Sequence, residues 1–171
     1  MLKTILAAIV LFCAAPATSW CEPIKYSASF IATGTLTEYG GTAHPFSGRV
    51  VFSFTDDTTD VTKVFEDGEF QGYETWAPME VFIEGLAPMK SLVDVELYSV
   101  DGSLELDGYS DNILLTTFVL SYSGFYNLQT TYRSEGSWII NYFNMGTIPT
   151  TKGVLRFTAG SSDGGFAGSL Q

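Results

Sequence analysis

Two carboxylates, Asp94 and Glu96, lie two positions apart in the segment from Leu92 to Leu97, a spacing suited to acid–base chemistry. In a β-strand this spacing places both side chains on one face, and a glycosidase needs two carboxylates across a cleft. The same alternation is typical of a half-buried strand whose solvated side is Asp94, Glu96 and Tyr98. We expect the half-buried strand, and we keep a glycoside-active enzyme as the less favoured alternative.

The other reactive side chains are too few for a catalytic relay or a zinc site. His44 is the only histidine, and the two cysteines are Cys13 and Cys21. A Ser-His-Asp or Cys-His relay needs a nucleophile beside its base, and zinc needs three or four nitrogen or sulfur ligands. We therefore expect a protein that is not an enzyme and assign no catalytic residue.

The densest carboxylate cluster is the segment Asp56-Asp57-Thr58-Thr59-Asp60. Calcium takes several oxygen ligands from a loop, although the D-x-D-x-D-G spacing of an EF-hand is absent here. Asp and Thr are also ordinary turn residues, because their side chains bond the backbone locally. We expect a plain turn. Calcium held by Asp56, Asp57 and Asp60 is the alternative, and no other cofactor is expected.

Two aromatic residues, Tyr73 and Trp76, lie in a segment bounded by Gly72 and Pro78 that also contains Glu74. Exposed Tyr and Trp rings stack on sugar rings, and a neighbouring carboxylate can accept hydrogen bonds from sugar hydroxyls. Large aromatic residues also fill protein cores. The segment is interpreted as an aromatic loop, and Tyr73 and Trp76 are the predicted ligand-binding residues of a carbohydrate site.

Length and composition limit the classes of protein to which the chain can belong. It has 171 residues, 19 acidic and 8 basic side chains, a net charge of −11, and 15% aromatic residues. The aromatic content is too high for a disordered acidic chain. The net negative charge repels the phosphate groups of a nucleic acid. We expect one folded domain that does not bind nucleic acid.

The first residues have the pattern of a secretory signal peptide. Lys3 is followed by a nearly wholly apolar stretch from Thr4 to Ala15, and Ala15-Pro16-Ala17 is a small-x-small cleavage site. The apolar stretch is shorter than the ~20 residues that cross a bilayer. We predict a signal peptide over 1–17, a single domain over 18–171 without a transmembrane segment, and secretion to the periplasm or the exterior. Cys21 would then be the only cysteine, either free or in an intermolecular disulfide.

Short segments with period-two alternation, separated by glycine-containing turns, fill the rest of the chain. Such a pattern predicts an all-β fold of antiparallel strands, each with one buried face. We expect a two-sheet β-sandwich of jelly-roll type, with a closed β-barrel enclosing a small-ligand cavity as the alternative. The nine predicted strands are Tyr26 to Thr37, Phe46 to Thr55, Val61 to Glu66, Met79 to Glu84, Leu92 to Val100, Ser103 to Asp107, Ile113 to Tyr122, Ser137 to Phe143 and Val154 to Thr158.

The strand ending Gly34-Thr35-Leu36-Thr37 is followed by a Gly-Gly turn and then by Phe46-Ser47-Gly48-Arg49-Val50-Val51-Phe52. This arrangement resembles the opening of secreted bacterial β-rich proteins of the PEP-CTERM-associated type. The last residues, Gly168-Ser169-Leu170-Gln171, contain no Pro-Glu-Pro motif, apolar anchor or basic tail, so the resemblance does not imply sorting by that route. It implies a secreted β-sandwich of the envelope or matrix and supplies no catalytic residue.

The sequence thus favours a secreted, non-catalytic structural or binding module of the cell envelope or extracellular matrix. The alternative is a carbohydrate-binding domain that uses the aromatic loop. Its expected partner is a polysaccharide or a surface protein, and the sequence leaves the oligomeric state open.

Overall fold

The computed structural model describes residues 22–67, 70–100, 103–110, 113–121, 126–136, 138–141 and 147–171. The predicted signal peptide and Cys21 lie outside these ranges. Within them the chain is all-β, as predicted, and contains no helix. The strands are β1 (Pro23–Glu38), β2 (Ala43–Asp57), β3 (Thr62–Asp67), β4 (Phe70–Ile83), β5 (Met89–Val100), β6 (Ser103–Ser110), β7 (Ile113–Ser121), β8 (Tyr132–Gly136), β9 (Trp138–Asn141), β10 (Thr147–Thr150) and β11 (Gly153–Leu170).

Nowhere in these described ranges does a helix occur with the length and apolar character needed to cross a membrane.

Six antiparallel strands close into a barrel, in the order β4, β2, β1, β11, β10 and β5, with β5 pairing back to β4. The short strand β10 completes the ring, because it pairs with β11 on one edge and meets β5 through Thr150 and Ser91 on the other. The closed barrel is therefore the architecture found, and the expected two-sheet sandwich is not. The alternation of apolar and polar residues shows which face of each strand is buried, but it does not determine whether the two outermost strands of the sheet pair with each other.

Additional strands extend the sheet from β5 and from β11. The second half of β5 pairs with β6, β6 pairs with β7, and β7 pairs with β9. The second half of β11 pairs with β8, which ends at Gly136 just before β9 begins at Trp138. β3 pairs with the first half of β4.

The barrel interior contains a packed aromatic core. Phe157 meets Phe46 and Phe52 edge-on, with ring centroids 5.7 and 6.1 Å apart. The rings of Tyr26 and Phe54 are tilted relative to each other, with centroids 4.9 Å apart. One gap in this core, between Tyr26 and Phe166, is too small for a water molecule.

A buried glycine lets two aromatic-rich strands approach each other. A Cβ built on Gly34 would lie 2.6 Å from Cζ of Phe46 and 2.3 Å from the carbonyl oxygen of Arg156. Both distances are far below van der Waals contact. Gly34 therefore leaves the space that the Phe46 ring occupies on β2.

The segment Tyr126–Thr131, here called the cap segment, packs against the barrel end where β1 begins. The Tyr26 hydroxyl donates a hydrogen bond to the carbonyl oxygen of Leu128, and Ser99 Oγ donates to the carbonyl oxygen of Tyr126 at 2.6 Å. Leu128 is fully buried and has a φ of 60°, a left-handed conformation that is unfavourable for a leucine. The hydrogen bond from Tyr26 thus holds this strained turn against the barrel end where β1 begins.

Two segments differ from the sequence-based expectations. The aromatic loop around Tyr73 and Trp76 is part of the strand β4, since it pairs with β3 and β5. The Gly-rich end of the chain, which lies beyond the last predicted strand, is the second half of β11. It is paired with β1 on one side and β8 on the other, so it lies inside the sheet.

Candidate functional site

The outward side of β4, β5 and β6 brings together aromatic and acidic side chains from three segments of the chain. Their register places Trp76, Glu96 and Asp107 in one cross-strand row. The neighbouring row contains Glu74, Tyr98 and Glu105. Side chains directly opposite each other have Cβ atoms about 4.5–5.5 Å apart, and those on the diagonal about 7–8 Å. We call this surface the outer wall; it consists of Glu74, Trp76, Glu96, Tyr98, Glu105 and Asp107.

The two aromatic residues of the outer wall are both accessible, to different degrees. The Trp76 side chain is 45% exposed, although Thr75 and Ala77 on either side of it are buried in the barrel. Tyr98 is half-buried. Burial raises the pKa of the Tyr98 hydroxyl, and the nearby negative charges of Glu105, Glu96 and Glu74 raise it further. The carboxylates therefore lie close enough to the aromatic residues to act on the same ligand.

Glu96 and Asp107 form a directly opposed carboxyl pair that is largely shielded from solvent. Glu96 is 8% exposed and Asp107 is 7% exposed, although both are on the outward side of their strands. The Cβ atoms of such a pair lie about 4.5–5.5 Å apart, so the two carboxyl groups are neighbours, and a glycosidase requires two carboxyl groups near one bond. Asp94, by contrast, is exposed.

The predicted pair Tyr73 and Trp76 does not share a surface. Residues three positions apart on a strand point to opposite sides, and Tyr73 packs against the core. Its hydroxyl donates a hydrogen bond to Oε1 of Gln71 at 3.2 Å. The aromatic neighbour of Trp76 on the outer wall is Tyr98 instead. Sequence reasoning missed this pairing because Tyr98 lies 22 residues later on another strand, and only the register brings the two together.

Asp56 and Asp57 are the last two residues of β2, and Asp60 lies in the connection to β3. Asp57 Oδ1 accepts hydrogen bonds from the backbone nitrogen and hydroxyl of Thr59, both at 3.1 Å, and Asp56 accepts one from the hydroxyl of Thr75. The negative charge of Asp56 is the main cause that raises the pKa of Asp60; burial, a hydrogen bond with Asp56 and the charge of Asp57 add to it. These contacts are those of a turn. Among the described residues, no group of three or more His, Cys, Asp or Glu side chains could hold a metal ion.

The single histidine lies at the end of the barrel closed by β10. Glu38 Oε1 lies 3.2 Å from His44 Nε2, beside a pocket of about 310 Å³ that also includes Lys152. Among the described residues that line this pocket, none carries a hydroxyl or thiol.

A larger open groove, of about 510 Å³, lies at the far end of β4 from Trp76. Phe82, which is 49% exposed, forms part of it, together with the ion pair of Glu80 and Lys90. Phe82 and Trp76 are six positions apart on one side of the same strand. Phe82 is thus a second exposed aromatic side chain on β4, outside the outer wall.

Comparisons of the chain with protein-family models, with curated proteins and with solved structures found no match.

Proposed function

We propose that the protein is a secreted, non-catalytic binding module of the cell envelope or extracellular matrix, and that it binds a neutral or amino-sugar glycan on its outer wall. The observation that carries this proposal is the exposed ring of Trp76, one register row from Tyr98 and surrounded by carboxylates. The secretory pattern of residues 1–17 and the resemblance to PEP-CTERM-associated proteins support the location outside the cytoplasm.

The chemistry of the outer wall suits a sugar with free hydroxyl or ammonium groups. The Trp76 ring offers a flat apolar surface on which a sugar ring can stack, as aromatic residues do at many binding surfaces. Ionised Glu74 and Glu105 can only accept hydrogen bonds, so they pair with hydroxyl or ammonium donors. The same charges repel a carboxylated or sulfated glycan.

The proposal is tested by titrating the purified protein with a panel of neutral, amino-sugar and acidic oligosaccharides and comparing Trp76→Ala with Phe82→Ala. Truncating a central aromatic contact commonly costs 2 kcal/mol or more, which is a loss of affinity of about 30-fold. We expect this loss for Trp76→Ala and unchanged affinity for Phe82→Ala, an equally exposed aromatic residue on the same side of the same strand.

Two results would contradict the site. If a folded wild-type protein binds none of the neutral or amino-sugar glycans, the outer wall is not a glycan site, and the structural-module alternative takes its place. If Phe82→Ala alone abolishes binding, the ligand occupies the groove at the other end of β4. Circular dichroism of each variant establishes that it is folded.

The non-catalytic part of the proposal has its own experiment. We expect no release of reducing ends when the protein is incubated with the glycans that it binds. The carboxyl pair of Glu96 and Asp107 is the arrangement closest to a glycosidase dyad. Hydrolysis that disappears in Glu96→Gln would therefore establish an enzyme.

A further inference from the structure

The net negative charge of the protein is confined to one part of the chain. Residues 64–132 contain 12 acidic side chains and one basic side chain, whereas the rest of the chain contains seven of each. The net charge of −11 therefore belongs entirely to residues 64–132. Strands β4, β5, β6 and β7 all come from this part, so the negative charge is concentrated on the strands that carry the outer wall and its neighbour β7.

The one basic residue of this part, Lys90, is paired away from the outer wall. Its ammonium group lies 3.7 Å from Oε1 of Glu80, in the groove at the far end of β4 from Trp76. Among the described strands, the registers of β4, β5 and β6 bring no lysine or arginine into the rows of Trp76 and Tyr98. The outer wall therefore has a surplus of negative charge.

Three carboxylates that reach solvent are distributed on both sides of the exposed Trp76 ring. Glu74 and Glu105 flank Tyr98 in one cross-strand row, and two strand spacings separate their Cα atoms by about 9–10 Å. Asp94 is exposed and lies in the row beyond Trp76, opposite Pro78. Charges spread over several rows match a chain with repeated cationic groups better than they match one small cation.

The outer wall offers no free strand edge to an extended peptide. β5 pairs with β4 on one edge and with β6 on the other, and β6 pairs with β5 and β7. A peptide that joins a sheet needs an unpaired edge for its main-chain hydrogen bonds. Contacts with a flat aromatic ring and with carboxylates are what this surface offers, and such contacts suit a sugar chain.

We propose that the partner of the outer wall is a cationic polysaccharide whose sugar units carry free ammonium groups, an inference that rests on the glycan-binding function proposed above. A sugar ring can stack on Trp76. An ammonium group is attracted by the face of a tryptophan ring and forms charge-assisted hydrogen bonds with carboxylates such as Glu74, Glu105 and Asp94. The negative field of β4–β7 also attracts a polycation from a distance and accelerates its binding.

The experiment is calorimetric titration of the purified protein with two hexasaccharides, β-1,4-linked glucosamine and its fully N-acetylated counterpart. The titrations are done at about pH 6, where exposed amines are protonated and exposed carboxylates are ionised. Each contact between an ammonium group and an accessible carboxylate is worth up to about fivefold in affinity. We expect two or more such contacts, so the glucosamine oligomer should bind about 30-fold more tightly than the acetylated one.

Salt provides a second measure of the same contacts. Raising the salt concentration from about 0.1 M to about 1 M shortens the screening length from about 10 to about 3 Å. The affinity for the glucosamine oligomer should fall toward that for the acetylated oligomer, whose own affinity should change by no more than about twofold.

The variant that tests the carboxylates combines Glu74→Gln with Glu105→Gln. It should lower the affinity for the glucosamine oligomer by about 30-fold. Binding of the acetylated oligomer should persist, because glutamine keeps a carbonyl oxygen that accepts hydrogen bonds from hydroxyl groups. The matched control combines Glu22→Gln with Glu38→Gln, which removes two exposed carboxylates outside residues 64–132 and changes the net charge equally. The control should leave both affinities nearly unchanged, and the melting temperature of each variant verifies the fold.

The outcomes separate this inference from the function on which it rests. Equal affinities for the two hexasaccharides, both lost in Trp76→Ala, would overturn the cationic preference and leave the glycan site in place. Binding of neither one by the folded wild type would overturn both. An equal loss in the control variant would overturn the assignment to Glu74 and Glu105. Tighter binding of a hexalysine peptide, weakened by the same variant, would replace the polysaccharide with a basic peptide.

Discussion

The hydrogen bond from Tyr26 to the cap segment can be tested directly for its contribution to the stability of the protein. Tyr26 is 1% exposed, and its hydroxyl donates to the carbonyl oxygen of Leu128, a buried residue in the left-handed conformation. Tyr26→Phe removes the donor and keeps the ring, which packs against Phe54 and Phe166. The substitution therefore isolates one hydrogen bond in an otherwise unchanged core.

The expected loss of stability in Tyr26→Phe comes from the carbonyl of Leu128, which keeps no hydrogen bond from residue 26. A buried acceptor left without its partner costs ~1–3 kcal/mol, and we expect about 2 kcal/mol because Leu128 is fully buried. A chain of this size loses about 2–4 °C in melting temperature per kcal/mol, so the expected decrease is about 4–8 °C. Hydrogen exchange of the backbone amides of the cap segment should also accelerate, since the strained turn at Leu128 has lost its anchor.

The matched control is Tyr39→Phe. The Tyr39 hydroxyl also donates to a backbone carbonyl, that of Thr150, at 2.8 Å. Thr150 is as fully buried as Leu128, so this variant also leaves the carbonyl of a buried residue without its donor, and the loss of stability can be similar. The two variants should differ in hydrogen exchange, because only Tyr26 bonds to the cap segment. Faster exchange of the cap segment in Tyr39→Phe, or an unchanged exchange rate there in Tyr26→Phe, would refute the reasoning.

The same hydroxyl predicts a pH dependence. Burial, and then the neighbouring groups Tyr126 and Asp56, raise the pKa of Tyr26 well above its ordinary value of 10.0. The folded protein therefore holds this proton more tightly than the unfolded chain does. The resulting stability is fully present below about pH 10 and declines above it, by at most about 1.4 kcal/mol per pH unit. Urea unfolding at pH 8 and pH 11 should show the difference between wild type and Tyr26→Phe shrinking at the higher pH.

The remaining predictions concern stability at two further positions. Gly34→Ala should lower the free energy of unfolding by ~1–3 kcal/mol or more, because the new methyl group collides with the Phe46 ring and a backbone carbonyl. Gly40→Ala is the control, since a Cβ there would meet nothing within 4 Å, and it should leave the melting temperature nearly unchanged. Equal effects of the two substitutions would contradict the proposed collision. Asp60→Asn should raise the melting temperature at pH 7, because the pKa of Asp60 is raised in the folded state and its ionised form is therefore disfavoured there. This gain should disappear as the pH falls through the ordinary value of 3.8, where both states are protonated, and a gain that persists at lower pH would contradict the electrostatic cause.

Nine of the eleven described strands have a counterpart among the predicted ones, whereas β8 and β10 do not. In the second predicted strand, Phe46 to Thr55, the alternating apolar residues Phe46, Val50, Phe52 and Phe54 are all buried. This success has a local cause, since period-two alternation records which side of a strand meets the core. The first half of β4 was missed because glycine, proline and large aromatic residues interrupt the alternation there, and its partners on β3 and β5 hold it as a strand.

The sequence by itself determined that the protein is all-β, acidic and built from strands with one apolar face. Only the tertiary structure decided that these strands close into a barrel, that Trp76 lies one register row from Tyr98 while Tyr73 packs against the core, and that Glu96 lies opposite Asp107. Each of these juxtapositions depends on the register between strands far apart in the chain. Register is set by turns, bulges and the closure of the ring together, so no local pattern encodes it.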